Sequence, residues 1–216
     1  MYLPAHFQET RPDVLHGLIR ARPLGTLVTH GPDGLEANHL PFEIDPEPAP
    51  HGTLRAHVAR ANPVWRRAGA GEALVVFHGP QAYISPRWYP TKRQSGKVVP
   101  TWNYAVVHAY GHLQAIEDRA WLRALVARLT ERHEAGDAQA WKLEDAPPAF
   151  IEQMLGAIVG LELRVTRLLG KWKVSQNRPA ADRDGAAQGL RALGDVESHA
   201  MAALIDEYGT ARPPSS

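Results

Sequence analysis

The stretch LGTLVTHGPDGLEANHLPFEI, from Leu24 to Ile44, constrains the fold most. Two extended runs flank GPDG, whose Pro, Asp and Gly provide the backbone angles of a tight turn, so the chain must begin its sheet as an antiparallel hairpin. Further extended runs follow at TLRAHV, EALVVFHG, VVHAYGHLQAI and GLELRVTRLLGKWKVSQN, the last with a glycine break expected at Gly170. Helical patterns are inserted irregularly. PDVLHGLIRAR reads as a helix that stops at Pro23, and ANPVWRRAG as a short one with Asn62 as its cap and Pro63 in its first position. Glu117 to Ala135 reads as an amphipathic helix with Trp121, Leu122, Leu125, Val126 and Leu129 on one stripe. Strands joined by short turns, with helices between them out of strict alternation, predict a β-rich α+β chain built on a small antiparallel barrel rather than a doubly wound parallel sheet.

With 216 residues the chain is long enough for one well-buried domain, or a domain with a helical appendage. It has no cysteine, which excludes disulfides, thiolate catalysis, iron–sulfur clusters and cysteine zinc sites. No stretch nears the roughly 18 apolar residues of a spanning helix, so a soluble, cytoplasmic protein is expected. Net charge is only +1, but it is unevenly distributed. Between Pro48 and Ile116 eight Lys or Arg face the single acid Glu72, and Leu163 to Ala181 holds five cations and no acid. Such windows suit either a phosphate-bearing ligand or solvated basic faces.

Common catalytic motifs are missing. His108 and His112 fall on a strand, about 13 Å apart at ~3.3 Å per residue, too far to share one ion, and no metal site is expected. Neither a G-x-S-x-G elbow nor a Walker loop nor a G-x-G-x-x-G turn is present, so any phosphate must be held by side chains and helix ends. HVARANPVW offers such a grip, because Arg60 and the helix opened by Asn62 can converge; the alternative is a plain cap beside a solvated arginine. GPQAYISPRWYPTKRQSGKVVPTWNY, residues 79–104, contains five aromatic rings, four cations and four prolines with no acid. It suits a planar phosphorylated ligand, while the same rings also suit a core or a dimer interface.

MYLPAHF, NHLPF, HVARANPVW, VVFHGPQAYISPRWYPTK, VPTWNYAVVHAYG and KWKVSQNRP together resemble the signatures of the PaiB family, the FMN-binding negative transcriptional regulators. The resemblance spans residues 1–179 and leaves 180–216 as a helical or partly disordered tail. It implies an FMN-binding split β-barrel with inserted helices, usually a homodimer with the flavin held between subunits, in a group named for repression of sporulation and degradative-enzyme genes. By the same resemblance, Asn38, His39, Leu40 and Pro41 would lie along the flavin ring, and His57, Arg60 and Asn62 would hold its phosphate. Trp88, Lys92, Trp102 and Asn103, together with Lys173, Ser175, Gln176 and Arg178, would complete the site. No recognition helix for DNA is visible in the sequence. Three readings follow: an FMN-binding regulator, a flavin-dependent oxidoreductase on a small substrate, and a heme-binding split barrel.

Overall fold

Apolar residues alternate along the long extended runs, and in the computed structural model these runs pair into one antiparallel eight-stranded sheet. Residues 1–32 and 34–210 are described; Asp33 of the expected turn and the tail residues 211–216 lie outside them. The strands are β1 (Gln8–Glu9), β2 (Leu24–Gly31), β3 (Gly34–Pro41), β4 (Glu43–Asp45), β5 (Thr53–Ala59), β6 (Glu72–Ile84), β7 (Thr101–Ile116) and β8 (Ile158–Lys173). The helices are α1 (Pro12–Ala21), α2 (Thr91–Ser95), α3 (Arg119–Glu134), α4 (Pro148–Gly156), α5 (Ala180–Arg191) and α6 (Val196–Thr210). Sheet order is β3-β2-β6-β7-β8-β5-β4, with β1 on β8, and the path is open. The hairpin is formed as expected, with Leu27 opposite Asn38 and Thr26 opposite His39.

The chain divides into two compact units. One comprises residues 16–77 and 108–168. Its core forms where Leu54, Ala56 and Val58 of β5 face inward opposite Leu163, Leu161 and Val159 of β8. Phe42 and Phe77 meet edge to face there, with centroids 5.7 Å apart. The alternate residues of β5 face the other way: Arg55 bonds Glu162 across the ladder at 3.0 Å, and His57 stands opposite Gly160. A Cβ on Gly160 would overlap the Trp121 ring, so glycine here lets α3 lay that indole against β8. Asp118 caps α3 by accepting from Trp121 N at 2.7 Å, and Leu122 packs with Leu143, Ile151 and Leu155 into a second small core.

The other unit comprises residues 1–15, 78–107 and the chain from 169 onward. Strand β8 runs unbroken through Gly170, which pairs with Glu9, contrary to the expected break. Glycine is needed for close approach instead, since a Cβ would overlap Leu15 and the Glu9 carbonyl. The aromatic, proline-rich stretch is the end of β6, a 3-10 turn at Pro86–Trp88, the short α2 and the start of β7. Helices α5 and α6 pack into this unit: Trp88 lies in a notch left by Gly185 and Gly189 of α5. The buried Asp182 accepts from Thr91 N at 3.1 Å and from its hydroxyl at 2.7 Å.

Candidate functional site

The expected site residues fall in both units. In the unit of residues 16–77 and 108–168, Asn62 Nδ2 donates to Asn38 Oδ1 at 2.8 Å, while Asn62 Oδ1 caps the turn at Pro63–Arg67 by accepting from Val64 N at 3.0 Å. That turn is 3-10 and only five residues long, so it offers no helix-end anion site of the kind anticipated. Leu40 is buried, whereas His39 and Pro41 are exposed on β3. His39 Nδ1 lies 3.1 Å from Thr26 Oγ1.

The HVARAN residues diverge rather than converge. Arg60 already uses its fork: Nε donates to Gly156 O at 3.0 Å, Nη2 to Ile158 O at 3.2 Å and Nη1 to Glu117 at 2.5 Å. The expected free phosphate fork is therefore an internal strut between the end of β5 and the α4–β8 turn. His57 lines a cavity with Pro41, Val126, Leu129, Thr130, His133, Glu134 and Trp141, and burial lowers its pKa, keeping the imidazole neutral at pH 7. A neutral ring beside a carboxylate is poorly suited to grip a dianion.

The second group is more coherent. At the end of β8, Lys173 Nζ donates to Thr101 Oγ1 and to Trp102 O, each at 2.5 Å. Burial and then the positive charges of Lys171 and Arg178 push its pKa down. Asn103, 1% exposed, donates from Nδ2 to Ser175 Oγ at 2.9 Å, and its own Oδ1 is buried without a hydrogen-bond partner. Ser175 holds a φ of 69°, the one positive value at a non-glycine among the described residues. Strain of that kind concentrates at functional sites. Gln176 maintains the bend, accepting from Val174 N at 2.9 Å and donating to Trp172 O at 2.5 Å. Arg178 lies 5.2 Å from the Tyr89 ring, whose hydroxyl burial pushes toward higher pKa.

Trp102 is half-exposed and meets Tyr83 at 6.3 Å, Trp88 is fixed against α5, and Lys92 is exposed on α2. Sequence reasoning counted Tyr89 among the rings and Lys171 among the cations without assigning either to the site, and it missed Thr101, which adjoins Trp102. The donor set fits a phosphorylated flavin, with cations for the anion, indoles for the ring, and an Asn103 oxygen still lacking a donor for an imide edge.

A family described as "Putative FMN-binding domain" matches residues 1–167. The protein AN0679 of Emericella nidulans is 34% identical over 245 residues, covering 97% of this chain and 98% of that one. The protease synthase and sporulation protein PAI 2 of Bacillus subtilis is 32% identical over 208 residues, covering 96% of this chain and 97% of its own length. Among solved structures, the FAD and heme binding protein from Mycobacterium smegmatis superposes with a TM-score of 0.55 at 19% identity, over 77% of this chain and 73% of that one. The fold is that of the antiparallel split-barrel flavin-binding proteins, and the chain belongs to the PaiB-type FMN-binding family that its motifs resemble.

Proposed function

We propose that the protein is a homodimeric flavoprotein that binds FMN and acts as a negative regulator without reading DNA itself. The observation carrying the flavin assignment is the cation cluster at the end of β8. Lys173, partly buried between Lys171 and Arg178 beside a strained Ser175, is a charge arrangement that an anion would relieve. In this reading Lys173 and Arg178 hold the phosphate, and Trp88, Lys92, Trp102 and Asn103 flank the ring. Gln176 supports the backbone beside Lys173. Bound FMN would supply hydride and single-electron chemistry.

The purified protein is expected to show flavin absorbance and to release FMN on denaturation. Lys173→Met removes a charge-assisted hydrogen bond and should weaken FMN about tenfold to a hundredfold, while riboflavin changes little. Unchanged FMN affinity in that variant rejects the assignment. A Soret band in place of flavin bands would favour heme, and flavin reduction by a nicotinamide nucleotide would favour an oxidoreductase.

Two features support the rest. Tyr83 and Trp102 form an exposed ring pair, and Val99, three residues before Trp102 in the chain, is 64% exposed, apolar surface suited to a second copy. Light scattering should give a dimer mass, reduced to a monomer by Trp102→Asp. Helices α5 and α6 are consecutive and joined by residues 192–195, but α6 carries Glu197, Asp206 and Glu207 and no Lys or Arg. Such a helix is repelled by DNA phosphates.

A further inference from the structure

Two adjoining cavities, of about 310 and 240 Å3, share His57, Val126 and Trp141 as walls. The first is also lined by Leu129, Thr130, His133 and Glu134, the second by Phe150, Met154 and Leu155. Both lie against the outer face of β5 and helices α3 and α4, within one compact unit. Trp141, Phe150 and Met154 are 44%, 50% and 42% exposed, so three large apolar side chains line one opening without being covered by it. Glu134 accepts from Trp141 N at 3.1 Å and so fixes the loop that carries this indole. Inside, His57 Nδ1 is buried with no hydrogen-bond partner. A polar atom left unsatisfied in an apolar recess is costly, and native interiors rarely keep both such an atom and such a void.

We infer that this recess binds a small, uncharged, largely aromatic molecule that carries one N–H group directed at His57. The first cavity exceeds the roughly 150 Å3 that admits benzene, which sets the occupant at two or three fused or linked rings. A charged ligand is disfavoured in the second cavity, whose walls are apolar apart from a His57 that burial keeps neutral, while Thr130, His133 and Glu134 add polar walls to the first. The recess shares no lining residue with the cation cluster at Lys173 and does not depend on the flavin reading.

The test uses the full-length protein and two probes, N-phenyl-1-naphthylamine and its carbon analogue 1-benzylnaphthalene, in which a methylene replaces the N–H. The amine should bind saturably, one per chain, with enhanced fluorescence and energy transfer from tryptophan. It should bind about fivefold to tenfold more tightly than the carbon analogue, the worth of one hydrogen bond. His57→Phe should abolish that preference while keeping affinity for the carbon analogue. Met154→Trp, which blocks the mouth at an exposed position and leaves the core intact, should weaken both probes at least tenfold. Absence of saturable binding, equal affinity of the native protein for both probes, or one-for-one displacement of the amine by FMN would overturn the inference. Displacement by FMN would assign the recess to the flavin ring and leave FMN binding itself intact.

Discussion

Glu9 is 5% exposed, yet its carboxyl titrates far below the usual range. Burial pushes it up, but hydrogen bonds from Arg11 and Tyr208 outweigh that and hold it at about 2, against an ordinary 4.5. Because the folded state favours the ionised form, this contribution is present above about pH 4.5 and is lost as pH falls toward 2. Denaturant midpoints should therefore fall across that window, and Glu9→Gln should flatten the fall and reduce stability at pH 7 by about 1–3 kcal/mol. Tyr208 runs the opposite way: burial and then Glu9 raise its pKa, so its share persists below pH 10 and is lost in stronger alkali. Arg60 makes the same point about context. Its position after HVA suggested a phosphate ligand, but its two carbonyl partners lie 96 and 98 residues away, beyond the reach of local pattern. Arg60→Ala should lower the stability of the ligand-free protein by about 1–3 kcal/mol in thermal or chemical unfolding, which is more than a solvated arginine would cost.

Glycines in helices show how packing decides the sign of a substitution. At Gly189 in α5 a Cβ would overlap the Trp88 ring, and repacking costs of about 1–3 kcal/mol exceed the ~1 kcal/mol of added helix propensity. Gly189→Ala should lower the melting temperature. At Gly17 in α1 nothing lies within 4 Å, so Gly17→Ala should raise it, by about 0.5–1 kcal/mol of stability. Elements of this kind were legible where one local rule governs: the β2–β3 hairpin follows from its turn residues, and α3 from the spacing of Leu122, Leu125 and Leu129. They were illegible where a distant partner decides. The Gly170 position looks like a strand break, but β1 and Leu15 require it in an unbroken strand. The turn at Pro63 has the cap and proline of a helix and tightens to 3-10 over five residues.

At the scale of the molecule, the motifs were sufficient for the fold and for the chemical character of the ligand. The alternation of buried residues carries the sheet, and the acid-free windows contain the Lys171, Lys173 and Arg178 cluster. Sequence could not say which of those cations are free, since that depends on carbonyls and carboxylates supplied by remote turns. Nor could it show that the chain beyond Pro179 is packed: Ala186, Ala187, Leu190, Met201 and Ile205 are all buried. A chain ended at Pro179 should lose cooperative unfolding, because it uncovers Trp172 from Tyr208 and Trp88 from α5. Circular dichroism melts of the shortened and full chains check this. The grip of α5 on Trp88 and Thr91 has one more consequence. A ligand that orders the 86–102 connection and the helix that clasps it share one coupling free energy, which is reciprocal. Occupancy near Trp88 and Trp102 would then slow hydrogen exchange in α5, and any event that loosens α5 would release the ligand by the same factor. The C-terminal helices would thereby sense occupancy of that connection.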